Sequence, residues 1–348
     1  MRISARGCAR IVGFTGAAAA AVALAACSGG SGSKSSAPPS PTVSTTTTPS
    51  TSAAPQAAAV DPLTGGKPST NKVVAVKIDD TANGRPQVGI DKADIVYIEQ
   101  VEGGLTRLLA VFNSTLPTTV EAVRSTRAGD PEVLGQYGPI AYVASGGSHN
   151  PLAVLDHSNL NSDINDRGGP GFQRDPNRPA PYNLKANLSQ IAKVVKSVPA
   201  RNVGFTWSSS VPNSPVGSGS IVRTTVGNTA VAFNWNQKLQ RYVRIINGAV
   251  QKTANGTTIA TPNVIVQFCS VTVYTKDRDV LGNPNYYTHT VGKGKVVVFR
   301  DGKAILGNWS RPKLSSPTSF TDRQGKAIPL TPGGAWVVLV ANGTALNK

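Results

Sequence analysis

The sequence is poor in cysteine, histidine and methionine: three, three and one among 348 residues. Three cysteines cannot build a disulfide-stapled scaffold. Three cysteines and three histidines are also too few for a multi-histidine or four-cysteine metal centre, so no metal is expected. No P-loop, dinucleotide fingerprint or zinc motif occurs, so no cofactor is expected either. Charged residues make up only 15%, and acids are the scarcer sign: 18 Asp+Glu against 35 Lys+Arg, a formal charge of +17. The shortage of acid lies almost wholly in one half. Residues 61–200 hold 14 acids and 14 bases, whereas residues 201–348 hold 4 acids and 17 bases, net +13.

The N-terminus reads as an address. Arg2, Arg6 and Arg10 precede a short apolar stretch over residues 11–26. That is the pattern of a secretory signal over residues 1–26, too short for a stable membrane span. It closes on Leu24-Ala25-Ala26-Cys27, which resembles the bacterial lipobox. Cys27 is therefore the expected lipidation site, its diacylglyceryl (palmitate-type) chains supplying the two acyl anchors that stable membrane attachment needs. Residues 27–60 are Ser, Thr, Pro, Ala and Gly apart from Cys27, Val43, Gln56 and Val60, with Lys34 as the single charge. Such a segment cannot bury a core and is expected to be a disordered tether. Thirty-three coil residues would hold the folded part about 30 Å from the membrane.

The rest divides by texture as it does by charge. In residues 61–200, buried-length apolar runs at 73–78, 95–98, 108–112 and 140–144 alternate with helix signals. Asp130-Pro131-Glu132 and Asn150-Pro151 each start a short helix, and Leu188, Ile191, Ala192 and Val195 give a helical period after a possible Asn187 cap. This half reads as α/β. Residues 201–348 show strand-like runs at 203–207, 221–225, 230–235, 241–246, 263–274, 295–300, 304–307 and 336–340, separated by Asn-Gly, Asp-Gly and Gly-Gly turns. They read as a mostly antiparallel β domain. The predicted fold class is thus α+β or α/β, an N-terminal α/β domain over 61–200 followed by a basic β domain over 201–348.

Polar chemistry concentrates in three stretches of the first half. One is a strand that runs into Glu99, then Glu102-Gly103-Gly104 and Thr106-Arg107. The second is Arg124-Ser125-Thr126-Arg127 before the Asp130 helix, and the third is Ser145-Gly146-Gly147-Ser148 before the Asn150 helix. Strand–turn–helix units place helix N-termini at the carboxyl ends of strands, where ligands bind in open α/β sheets. Arginine adds a forked donor for carboxylate or phosphate. Two readings stand side by side. One is a composite anion site from Glu99, Glu102, Arg107, Arg124, Arg127, Ser145, Gly146, Gly147 and Ser148, with Arg174 reaching in from a proline-rich loop. The other is an internal salt-bridge net in which Glu99, Glu102 and Asp130 pair with these arginines.

Catalytic residues are not identifiable. Glu99 and Glu102 resemble a glycosidase acid pair only if they stand correctly in space. Ser145 to His149 lack the nucleophile-elbow pattern. Cys269 lies mid-strand and reads as a small buried hydrophobe. Trp235, Tyr242, Trp309 and Trp336 read as core aromatics or as a glycan surface.

Together these segments resemble the YerB-type lipoprotein family. The likeness rests on Gly84-Arg85-Pro86-Gln87-Val88-Gly89, Ala93-Asp94-Ile95-Val96-Tyr97, Val101-Glu102-Gly103-Gly104-Leu105-Thr106-Arg107, Val123-Arg124-Ser125-Thr126-Arg127, and Arg174-Asp175 with Ala180-Pro181-Tyr182-Asn183. In the second half it rests on Val291-Gly292-Lys293-Gly294-Lys295, Gly307-Asn308-Trp309 and Pro332-Gly333-Gly334-Ala335-Trp336. The family pattern commonly has alanine at position 126 and histidine at 182, where this chain has Thr126 and Tyr182. The resemblance implies a two-part, membrane-anchored envelope protein of unknown function and supplies no reaction.

The expectation is therefore a lipoprotein on the outer face of the cytoplasmic membrane that binds an anionic envelope polymer or lipid head groups and no nucleic acid. The alternatives are an envelope hydrolase or transferase using Glu99 or Glu102 with Arg124 and Arg127, and a structural adaptor. Whether the chain is an enzyme is left open, leaning against.

Overall fold

The computed structural model describes residues 59–211 and 216–348. Cys27, the signal segment and nearly all of the tether lie outside the described residues. Eight strands form before residue 200: β1 (Val74–Asp79), β2 (Ile95–Gln100), β3 (Thr106–Phe112), β4 (Val120–Glu121), β5 (Ala141–Ala144), β6 (Asn161–Ile164), β7 (Phe172–Arg174) and β8 (Leu184–Ala186). The helices there are short: α1 (Asp130–Leu134), α2 (His149–Asp156) and α3 (Leu188–Val194). Asn187 caps α3 as its sequence suggests, its side-chain oxygen accepting from the Gln190 amide at 3.0 Å.

Beyond residue 211 the described chain is strands and turns. These are β9 (Val216–Ser218), β10 (Ile221–Val226), β11 (Thr229–Asn236), β12 (Arg241–Ile246), β13 (Ala249–Val250), β14 (Ala260–Thr261), β15 (Asn263–Arg278), β16 (Pro284–His289), β17 (Gly292–Arg300), β18 (Lys303–Arg311), β19 (Ser319–Asp322) and β20 (Ala335–Ala341). The expected strand at 203–207 is absent; only Trp207 makes an isolated bridge, to Leu330.

One large sheet orders its strands β19-β18-β17-β15-β20-β2-β3-β1-β5-β6. It therefore crosses the boundary expected near residue 200. β20 runs parallel to β15, pairing Trp336 with Val264, and parallel to β2, pairing Ala335 with Ile95. Both β2 and β20 are almost wholly buried along their length. A strand buried on both faces needs a partner on both edges to satisfy its backbone, and each half supplies the partner the other lacks. The described residues form one compact unit.

The fold is mostly β, with 43% strand against 11% helix. The α/β reading of the first half holds only loosely. Its parallel strands β1, β5 and β6 do form, and α2 does connect β5 to β6, but helices of five to eight residues cannot layer the sheet. Strand side chains instead fill both faces: Val74, Val76, Ile98 and Val338 on one, Ala75, Tyr97, Leu109 and Val337 on the other. The second half is not purely antiparallel either, since β15 and β20 pair in parallel.

Candidate functional site

The parallel strands β1 and β5 end side by side, and the chain from Val123 to Thr126 is wedged between their carboxyl ends. Arg124 donates its amide to the Lys77 carbonyl, Ser145 to the Arg124 carbonyl and Thr126 to the Gly146 carbonyl, each at 2.9 Å. The second and third polar stretches thus meet in space. The first joins them through the β2–β3 hairpin, whose Arg107 faces Asp79 of β1 and Glu99 of β2 in register.

Most charges in this cluster are paired. Lys77 is fully buried between Glu99 and Asp130, 2.6 Å from Asp130 Oδ1 and in contact with Glu99 Oε1. Burial pushes its amine down to about 8 despite the opposing pull of Asp130. Asp130 also accepts from the Thr126 hydroxyl at 3.1 Å, the Arg127 amide at 2.8 Å and the Tyr142 hydroxyl. Burial holds the Tyr142 phenol well above its ordinary range, so it stays a donor. Arg127 grips Glu102 with two prongs, Nε to Oε1 at 2.5 Å and Nη2 to Oε2 at 2.6 Å. Arg124 Nε lies 3.0 Å from Asp79 Oδ2. Its guanidinium sits 5.1 Å above the Tyr182 ring, and its Nη1 donates to the Pro181 carbonyl at 3.4 Å. The proline-rich loop therefore does fold onto this site, through Tyr182.

Arg107 is different. It is 8% exposed, yet among the described residues no carboxylate oxygen lies within 4.0 Å of its guanidinium. Its Nη1 donates to the Ser125 carbonyl at 3.0 Å, and its Nε and Nη2 have no protein partner there. Burial, together with the neighbouring Arg127 and Arg124, pushes it down to about 9. Glu102 and Asp79 pull the other way without offsetting the burial. The hydroxyl of the same Ser125 lies 3.3 Å from that of Ser145.

The salt-bridge net of the second reading is present, and Arg107 is the one arginine of the cluster outside its direct pairs. Glu99, Glu102, Arg107, Arg124, Arg127, Ser145 and Gly146 converge. Ser148 does not join them; its hydroxyl donates to Asp277 on the β15–β16 arm at 2.6 Å. Gly147 packs against Thr126 and Leu152, beneath the turn. Arg174 is held on the outer β7–β8 ribbon by Asn183 at 2.9 Å, and the described structure gives it no contact with the cluster. The sequence reading did not single out Lys77 or Asp79, although two charges inside the otherwise apolar run Val-Ala-Val-Lys-Ile-Asp are a usable signal.

Other candidates resolve as framework. Cys269 is buried, and desolvation pushes its thiol up to about 12. Tyr242, Trp309 and Trp336 are core residues. Arg244, fully buried, joins the halves by an ion pair to Asp80 at 2.6 Å and lies 5.1 Å over the Trp336 ring. A groove of about 1080 Å³ runs between Lys67, Asp91, Lys92 and Arg241 and shares no residue with the arginine cluster. Among the described residues, no cluster of three or more metal-ligating side chains occurs and no helix is long and apolar enough to cross a membrane.

A largely β protein with a charge-balanced cluster at its strand ends, in which one arginine makes no direct ion pair, is the class this geometry defines. The chain belongs to the family described as protein of unknown function DUF3048, matching its N-terminal domain over residues 63–201 and its C-terminal domain over residues 221–337. It is 26% identical over 293 residues to YerB of Bacillus subtilis (strain 168), which carries the name of a lipoprotein, covering 80% of this chain and 85% of that one. The crystal structure of YerB protein from Bacillus subtilis superposes with a TM-score of 0.68 at 24% identity, over 83% of this chain and 100% of that chain.

Proposed function

We propose that this chain is a lipoprotein anchored through diacylglyceryl-Cys27 to the outer face of the cytoplasmic membrane, and that its Arg107 cleft binds an anionic cell-envelope ligand. The lipoprotein reading is supported by the lipobox-like Leu24-Ala25-Ala26-Cys27 and by the name of the Bacillus relative. The binding reading is carried by one observation: Arg107 is buried, has no carboxylate within ion-pair distance, and donates only to the Ser125 carbonyl. A phosphate or carboxylate oxygen placed there would meet the free Nε and Nη2 groups and give this guanidinium a direct anionic partner. The +13 of residues 201–348 would draw the same anionic polymer or lipid surface to the protein.

Binding is favoured over hydrolysis because Glu99 is occupied by Lys77 and Glu102 by both prongs of Arg127. Neither is poised as a free nucleophile or as an acid beside a substrate. A thermal-shift panel of phosphates, peptidoglycan fragments, wall polymers and lipid head groups tests the reading. A ligand that raises the melting temperature of the full chain, but not of folded Arg107→Gln, supports it. A panel without any shift, or one whose shifts survive in Arg107→Gln, defeats it.

A further inference from the structure

Away from the arginine cluster, the edge strand β6 carries a second unbalanced charge. Asp163 is 3% exposed, and among the described residues its carboxylate accepts no hydrogen bond and lies within 4.0 Å of no Lys, Arg or His nitrogen. Its Oδ2 is sealed from solvent without a partner. A buried carboxylate ordinarily collects two or three donors or a cation. The guanidinium that lines the same cleft is committed elsewhere: Arg167 forks onto Asp156 at 2.6 and 2.9 Å.

Asp163 lines a cleft of about 380 Å³ between the turn after β6 and the end of α3. The turn shapes the opening. Gly168 is in the left-handed region at φ 76°, and Gly169 lies so close that a Cβ there would come within 2.1 Å of Asp163 Oδ1. Any side chain at 169 would fill the space in front of the carboxylate, so the glycine keeps Oδ1 approachable. The opposite walls are aliphatic: Ile164, Pro170, Val194 and Val195.

We infer that this cleft binds a primary ammonium group carried on a short aliphatic arm. A positive charge would meet the carboxylate that has no counter-ion, and the methylenes would cover Val194 and Val195. The geometry selects against two other cations. A metal ion needs several oxygen ligands, and one carboxylate is present. A guanidinium fork needs two open carboxylate oxygens, and Oδ2 is sealed. Burial also pushes the Asp163 carboxyl up to about 6, so the cleft would hold its ammonium best above that pH.

The test is thermal unfolding of the full chain in detergent at pH 7.5, with n-butylammonium chloride replacing sodium chloride at constant ionic strength. n-Butanol serves as the uncharged control. The expected result is a saturable rise of about 2–4 °C with the amine and none with the alcohol. Asp163→Asn should lose that response. Val194 is 62% exposed, and Val194→Lys should place an ammonium in the cleft from the protein's own chain. That variant should melt higher without amine and respond no further, so the inference remains testable if Asp163→Asn folds poorly. No saturable rise in the parent, an equal rise with butanol, or an undiminished response in Val194→Lys would overturn the inference. An equal rise with butanol would make the cleft merely apolar, and an undiminished response in Val194→Lys would place the amine elsewhere on the protein.

Discussion

Glu99 and Arg107 stand opposite each other in register on β2 and β3, yet they do not form an ion pair. Glu99 gives its carboxylate to Lys77 on β1, on the far side of β3, and Arg107 turns to the Ser125 carbonyl instead. That choice leaves one guanidinium in the cluster without a negative partner. The four other charged groups around it, Glu102 with Arg127 and Asp79 with Arg124, are settled in pairs.

The two arginines should therefore respond oppositely to removal. Arg127→Ala strands Glu102 in a buried position and should cost about 3–5 kcal/mol of stability. Arg107→Gln removes a cation that burial already disfavours and should change stability by less than about 1 kcal/mol. Urea unfolding of both variants checks this; equal losses would mean that Arg107 is a structural brace like its neighbour.

Lys77 holds two carboxylates at once. Lys77→Met leaves Glu99 and Asp130 facing each other without a cation, and a loss of about 3–5 kcal/mol is expected. Adding Asp130→Asn should recover part of that loss, because the second buried charge is then gone. Double-mutant denaturation curves give the coupling; strict additivity would contradict a shared ion triad.

Asp163 makes stability depend on pH in an unusual direction. Its carboxyl is raised from 3.8 to about 6 in the folded chain, so the native state holds the proton more tightly than the unfolded state does. The contribution is harmless below about pH 4 and turns unfavourable as pH rises through 6. Asp163→Asn should accordingly stabilise the chain by about 1 kcal/mol at pH 7.5 and leave it unchanged at pH 4, allowing for partial solvent screening. Melting temperatures at the two pH values decide it; an equal effect at both would mean that the carboxyl is not titrating there.

Cys269 should be inert. Its thiol is buried on β15 and pushed up to about 12, so almost none is thiolate at neutral pH. Peptide mass mapping after treatment with a thiol reagent should find residue 269 modified only once the chain is unfolded. Modification in the native state would imply that β15 opens.

How much of this was legible in the sequence differs from element to element. Strand positions β1, β2, β3 and β5 follow from their apolar runs, and α3 follows from its period and the Asn187 cap, because these signals are local. The change of charge near residue 200 is real, but the sheet ignores it. The partners β2 and β20 are some 240 residues apart, and nothing local announces that an Ala-Trp-Val-Val run completes the edge of an Ile-Val-Tyr run. The arginine cluster was visible as three polar turns, since strand ends in parallel sheets bring such turns together. Which charges pair was not visible. That depends on Lys77 reaching across from β1, and on Arg174 being held back by Asn183, both set by side-chain directions in the folded chain. The aromatic at 182 reaches the cluster by stacking on Arg124 rather than as a histidine.

The measurement that tests the central claim most directly is isothermal titration of glycerol 3-phosphate into the full chain in detergent, at about 50 and 300 mM salt, beside Arg107→Gln. The account predicts saturable binding to the parent that weakens at the higher salt and at least a tenfold loss in the variant, with both proteins melting at nearly the same temperature. Binding of equal strength to the parent and to Arg107→Gln would contradict it.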